Sequence, residues 1–101
     1  MMNILLVCVG GISTSILEKN IRDAFGPEKA NWTVEAHPVD QLESLIDRFD
    51  VILLGPQIRH KFRAVKKVAD ANSKPCEVID SRDYALAKGD KVLKRAEELL
   101  S

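Results

Sequence analysis

The chain has 101 residues, 46% hydrophobic and 30% charged, which suits one domain with its own core and leaves no room for a second. Fifteen basic residues balance fifteen acidic ones, so no net field draws the chain to nucleic acid. No apolar run approaches the roughly 20 residues of a membrane span. Ile4 to Val9 is too short for a signal peptide's apolar region and lacks a basic flank, so a cytoplasmic protein is expected.

Asn3 to Cys8 is almost continuously apolar, as in a strand buried on both faces. Gly10 and Gly11 break it. A helix capped by Ser13 or a neighbour is expected from about residue 14 to 25, with Ile16, Leu17, Ile21, Ala24 and Phe25 at helical spacing, until Gly26-Pro27 stops it. Trp32 to His37 alternates and predicts a second strand ended by Pro38, with Trp32 a partly buried anchor. Asp40 is expected to open a short helix through Leu42, Leu45 and Ile46.

Asp50 to Leu54 predicts a third strand, closed by Gly55-Pro56. A helix from about Ile58 to Ala71 should turn Phe62, Val65, Val68 and Ala69 inward. Pro75 to Ile79 predicts the fourth strand. After an Asp80-Ser81 turn a loop is expected to Gly89, then a helix through Val92, Leu93, Ala96, Leu99 and Leu100. Strands alternating with helices predict an α/β fold: one open sheet of four parallel strands with helices on both faces. In such sheets the ligand sits at the carboxyl ends of the strands, where the winding reverses. Cys8, Gly55-Pro56-Gln57 and Asp80-Ser81 all stand at such ends.

Cys8-Val9-Gly10-Gly11-Ile12-Ser13-Thr14-Ser15 is the segment with the most chemistry. A small-residue loop between strand and helix turns several backbone N–H groups toward one point, and the helix adds its positive end. Such a nest suits a tetrahedral anion, and it also favours the thiolate, the nucleophilic form of cysteine. Ser13, Thr14 and Ser15 add three hydroxyl donors. The opposing reading is a buried strand-end thiol followed by a tight turn. No lysine follows the glycines and no G-x-G-x-x-G is present, so this is neither a Walker loop nor a dinucleotide fingerprint. The layout is that of the low-molecular-weight tyrosine phosphatases, whose pattern is Cys-x5-Arg. Here the residue six beyond Cys8 is Thr14. Without a guanidinium fork, attack by water loses its strongest charge partner. A phosphocysteine here suits a carrier better than a hydrolase.

Three stretches carry a resemblance over almost the whole chain: Ile4 to Leu17 with Cys8, Gly11 and Ser13-Thr14-Ser15; Val51 to Ile58, with Gly55-Pro56-Gln57; and Glu77 to Ser81 followed by Tyr84. Together they resemble the lactose/cellobiose-type IIB component of the bacterial phosphoenolpyruvate-dependent sugar phosphotransferase system (PTS). The resemblance implies one IIB domain over residues 1–101, with a phosphatase-like Cys loop after the first strand. It implies that Cys8 accepts a phosphoryl group from phosphohistidine on a IIA protein and passes it to a sugar, a β-glucoside or other disaccharide, held by the membrane component IIC. Residues Val9, Gly10, Gly11, Ile12, Ser13, Thr14 and Ser15 would bind the phosphoryl group. The loop departs from the family's usual residues at Val9, Gly10 and Ile12, and Ala85 stands where a glycine is common. The resemblance implies no cofactor and no metal, and a cytoplasmic protein that meets the membrane only through IIC. Charged helix faces predict a monomer in solution.

Gln57, Asp80 and Tyr84 are candidates for the border of the site. Asp80 is open between capping the turn at Ser81, lying in solvent, and bordering the site; in a phosphatase it would be the general acid. His37 reads as structural or solvated. His60 lies among Arg59, Lys61 and Arg63, a cluster that reads first as a solvated face and second as a patch for an acidic partner. Cys76 reads as packed within its strand. The two cysteines form no CxxC pair and cannot complete a structural zinc site. The main alternative is a phosphatase-like hydrolase with a degenerate loop, which Thr14 argues against. A receiver-like binding domain is the third, and the absence of acidic residues from Asn3 to Val9 argues against it.

Overall fold

Strand β1 (Asn3–Cys8) is apolar from Ile4 onward because both of its faces are covered. Ile4 and Leu6 enter one core layer, while Leu5 and Val7 enter the other. The computed structural model describes residues 2–9 and 15–101. The expected cap at Ser13 and the loop positions Gly10, Gly11, Ile12, Ser13 and Thr14 lie outside the described residues.

The sheet has four parallel strands in the order β2-β1-β3-β4, with β2 at Thr33–Pro38, β3 at Val51–Leu54 and β4 at Cys76–Val78. Helix α1 (Ser15–Phe25) and helix α5 (Gly89–Leu100) pack on one face through Leu17, Ile21, Phe25, Val92, Leu93 and Ala96. Helix α2 (Leu42–Leu45) and helix α3 (Phe62–Ala71) cover the other through Leu42, Val65 and Ala69, joined by Ile46, Phe49 and Ile58. The chain first winds from β1 outward to β2, then crosses to β3 on the other side of β1. The winding therefore reverses between β1 and β3.

The elements follow the sequence pattern, with β3 starting one residue later and β4 one residue shorter at each end than expected, and with four larger differences. Strand β2 begins after Trp32 and includes Pro38, which sits on an edge strand where a missing N–H costs no ladder bond. Trp32 is half-buried against Phe25, edge to face at 6.1 Å, with the Lys29 ammonium 5.3 Å from its ring centre. The second helix is a single α turn between two 3₁₀ turns, and Asp40 does not cap it. Its predecessor Gln41 holds the N-cap position without a side-chain bond. The helix expected from Ile58 begins as a 3₁₀ segment, Pro56–Lys61, in which Ile58 has non-helical angles of φ −114° and ψ 25°. Ile58 leaves helical geometry to bury its side chain, which is 2% exposed.

The fourth difference is an added element. The stretch expected to be a loop before Gly89 contains helix α4 (Ser81–Ala85). Asp80 caps it, its Oδ1 accepting from the N–H groups of Arg82 at 2.9 Å and Asp83 at 3.1 Å. The turn from α4 into α5 has Ala87 at φ 50°. The Asn20 side chain of α1 donates to the Ala87 carbonyl at 2.7 Å and holds that turn in place.

Candidate functional site

Cys8 is the last residue of the central strand β1, at the point where the winding reverses. Its side chain is 3% exposed, and Sγ lies 3.6 Å from the His37 carbonyl, to which the thiol donates. The next residue, Val9, is 70% exposed, so the chain leaves the core abruptly at this point. Helix α1 begins at Ser15 and returns over the sheet from the same end. The described structure thus places Cys8 and Ser15 at the two ends of the candidate phosphate loop.

The end of β3 supplies the neighbouring wall. Gly55 is buried, and its N–H donates to the Val7 carbonyl at 3.0 Å, beside Cys8. A methyl group at Gly55 would lie 2.8 Å from Oε1 of Gln57 and 3.5 Å from the Tyr84 ring. Two of the three border candidates, Gln57 and Tyr84, therefore converge on Gly55 at the carboxyl edge of the sheet. Tyr84 reaches this place because α4 turns the chain back after β4: its own N–H donates to the Asp80 carbonyl at 2.9 Å.

The Asp80 carboxylate binds the N-terminus of α4, and β4, the strand it follows, is separated from β1 by β3. It does the capping that was one of its open readings. The sequence carries the signal in Asp80-Ser81-Arg82-Asp83, a cap residue followed three positions later by an acid, the layout of a capping box.

His37 is bound into a structural chain. Its Nε2 lies 2.8 Å from Oε1 of Glu35, and Arg48 donates to both oxygens of that carboxylate at 3.3 and 3.0 Å. The ring also meets Phe49 edge-on at 6.3 Å. Its backbone carbonyl is what accepts from the Cys8 thiol. Glu35 and Arg48 were not legible as partners in the sequence, because 13 residues separate them.

Cys76 is the inert thiol. Burial in β4 pushes it up to about 11, Asp70 and Glu77 adding to the effect and Lys66 opposing it. It is therefore protonated at neutral pH and a poor nucleophile.

A cleft of about 360 Å³ lies at a different place, between β4, α4 and α5. Leu53, Ile79 and Val92 floor it. Its rim charges pair with one another: Arg95 donates to Glu77 at 2.8 Å and to Glu98 at 3.2 Å. Those carboxylates hold the Arg95 guanidinium above its ordinary range. The cleft has volume without a cysteine, whereas Cys8 stands at the carboxyl end of β1. Among the described residues no group of three or more His, Cys, Asp or Glu side chains is placed to hold a metal ion. No described helix is long and apolar enough to cross a membrane.

Comparison with known proteins places this geometry in a family. Residues 3–95 match the model of the PTS system lactose/cellobiose-specific IIB subunit. The galactose-specific EIIB component of Lactococcus lactis subsp. cremoris is 32% identical, with 97% of this chain and 95% of the relative covered. The oligo-beta-mannoside-specific EIIB component of Bacillus subtilis is also 32% identical, at 99% and 97% coverage. The solution structure of a cellobiose-specific IIB component from Borrelia burgdorferi superposes with a TM-score of 0.82 at 38% identity, covering 98% of this chain and 91% of that one. The lactose-specific IIB domain of Streptococcus pneumoniae shares the fold with a TM-score of 0.86 at 20% identity, covering 99% and 98%. By this match over nearly its whole length, the chain belongs to the lactose/cellobiose-specific IIB subunits of the sugar phosphotransferase system.

Proposed function

We propose that this protein is a phosphocarrier in which Cys8 takes a phosphoryl group from a phosphohistidine of a IIA protein and hands it to a sugar held by a membrane IIC component. In the first step the thiolate sulfur attacks phosphorus, an S–P bond forms, and the P–N bond to the donor imidazole breaks. In the second a sugar hydroxyl oxygen attacks phosphorus, the S–P bond breaks, and the hydroxyl proton passes to solvent or base as the thiolate is restored. The N–H groups of Val9 to Ser15 would hold the phosphoryl oxygens, with Ser13, Thr14 and Ser15 as hydroxyl donors.

The position of Cys8 carries the reading: a thiol at the carboxyl end of the central strand, at the switch point, in a chain of the IIB family. Gln57 and Tyr84 at Gly55 would border the bound group from the β3 side. The protein would work as a cytoplasmic monomer, one IIB domain over residues 1–101, that reaches the membrane only through IIC. The relatives named for cellobiose and oligo-beta-mannoside support a β-glucoside or other disaccharide as acceptor, while a third is named for the monosaccharide galactose. No cofactor or metal is needed for either step.

The phosphatase alternative has weaker support. Thr14 occupies the arginine position of that pattern, and the Asp80 carboxylate caps α4. One experiment separates the two. The protein is incubated with phosphoenolpyruvate, the general phosphotransfer proteins and a lactose/cellobiose-type IIA protein, and intact mass is recorded. A single added phosphoryl group in the wild type, absent from Cys8→Ser, is the expected result. An adduct that persists in Cys8→Ser, or no adduct at all, overturns the reading. Steady phosphate release from an aryl phosphate without partners would establish the hydrolase instead.

A further inference from the structure

The segment after β3 breaks the charge balance of the chain. Arg59, Lys61, Arg63, Lys66 and Lys67 fall within nine residues, with His60 among them, and no acidic residue occurs between Asp50 and Asp70. All five cationic residues are exposed. Lys66 pairs with Asp70 at 3.0 Å. Among the described residues, Arg59, Lys61, Arg63 and Lys67 have no carboxylate within ion-pair distance.

Local stability does not account for this arrangement. The first turn of α3 has no acidic residue and no side-chain cap. Arg59, His60 and Lys61 precede it directly, and Arg63 lies within it. Cations there oppose the helix dipole, which favours anions at that end. A local rule broken without a compensating contact marks a surface kept for another purpose.

Its place in the fold indicates the purpose. Helix α3 follows β3, so its first turn lies at the carboxyl edge of the sheet, where Gly55 bonds to Val7 beside Cys8. A macromolecule that brings a phosphorylated side chain to Cys8 must cover that edge. We propose that Arg59, Lys61 and Arg63 form a docking surface for an acidic face of the protein that donates the phosphoryl group, an inference that rests on the carrier reading. The phosphoryl group itself carries close to two negative charges. Exposed cations at the rim of the contact steer such a partner in and act mainly on the rate of encounter. A lipid surface fits less well. The apolar side chains of α3, Val65 and Ala69, are buried, and Phe62 and Val68 pack against the same core. The cationic face thus lacks the apolar anchors of a membrane-surface helix.

The test measures the second-order rate of phosphoryl transfer from a histidine-phosphorylated, lactose/cellobiose-type IIA protein to wild type, to R59Q/K61Q/R63Q and to R59E/K61E/R63E. At low salt the glutamate variant should be slower by ~10-fold or more, with the glutamine variant between. The gap should close toward ~0.5 M salt, where the Debye length is a few ångströms. Melting temperatures should hold or rise, because the substitutions relieve the helix dipole, a result that a structural role for these side chains would not give. An unchanged rate in the glutamate variant overturns the proposal and leaves the carrier reading standing. A loss equally large at both salts also overturns it, since the effect would then be local distortion. So does normal transfer combined with lost binding to phosphatidylserine vesicles, which would make this a lipid surface. Failure of the wild type to accept a phosphoryl group sinks the carrier reading and this proposal with it.

Discussion

Gly89 lies directly against the backbone of Asn20: a methyl group at Gly89 would fall on the Asn20 carbonyl and the Ile21 nitrogen. This contact sets how closely α5 approaches α1, the helix that begins just beyond the candidate phosphate loop. Two residues before Gly89, the Ala87 carbonyl accepts the Asn20 amide at 2.7 Å. The two helices are therefore joined by a close contact and a hydrogen bond at one place.

Gly89→Ala tests that contact. Helix propensity alone favours alanine by about 1 kcal/mol. The clash is with backbone, which cannot swing aside, so the net effect should be destabilising by ~2 kcal/mol or more. Urea unfolding measures it. A variant as stable as wild type would mean that α5 approaches α1 less closely than described.

Gly55→Ala should separate stability from function. Gly55 has φ −62°, which alanine adopts freely, and the nearest obstacle is the movable end of Gln57. The contacts with Tyr84 and with the Val7 carbonyl, at 3.5 and 3.7 Å, are ordinary. Stability should change by no more than ~0.5 kcal/mol. The Gln57 side chain must move, so phosphoryl transfer to Cys8 should slow by the same factor as in Gln57→Ala. Equal rates in both variants and wild type would remove Gln57 from the border of the site.

Asp80→Ala should lose the α4 cap and cost ~1 kcal/mol, read from a urea midpoint. Asp80→Asn keeps a capping oxygen and removes the acid. Its stability should stay near wild type and its transfer rate should not change. A large loss of transfer in Asp80→Asn, with stability intact, would show that the carboxylate takes part in the chemistry.

Cys76 predicts a pH effect. Its thiol is raised in the folded chain to about 11 from an ordinary value of 9.0. Between those values the unfolded chain has lost this proton while the folded chain keeps it. Stability from this group is therefore complete below pH ~9 and falls as pH rises through ~11. A rise of that size corresponds to ~2.7 kcal/mol, and solvent screening of this half-buried thiol brings the loss below that. Urea unfolding from pH 8 to 11, wild type against Cys76→Ala, isolates it: the difference in stability between the two should shrink across that window. A constant difference would show that burial does not hold the proton on.

The periodicity of the chain carried much of the architecture. Both faces of β1 and β3 are buried, and the runs Ile4 to Cys8 and Val51 to Leu54 are apolar for that reason. Val65 and Ala69 faced inward as their spacing predicts. What escaped was local hydrogen bonding that competes with periodicity. Helix α4 is too short to show an apolar stripe and exists because Asp80 caps it. The 3₁₀ segment after Gly55 exists because Ile58 is pulled into the core.

The sequence by itself determined the alternation of strands and helices and the strand ends at which Cys8, Gly55 and Asp80 stand, and it singled out Cys8 as the candidate nucleophile. Burial and backbone curling are written in neighbouring residues, so a linear reading recovers them. Only the tertiary structure decided the strand order, which sets Cys8 at the switch point, and the convergence of Val7, Gln57 and Tyr84 on Gly55. It also decided that Asp80 faces its own helix and that His37 is held by Glu35. Strand order and the meeting of Val7, Gly55 and Tyr84 depend on which distant segments pair, and the packing of the whole core selects those pairings. The partners of Asp80 and His37 lie within three residues in sequence, but their side-chain geometry is set only once the helix and the sheet edge have formed.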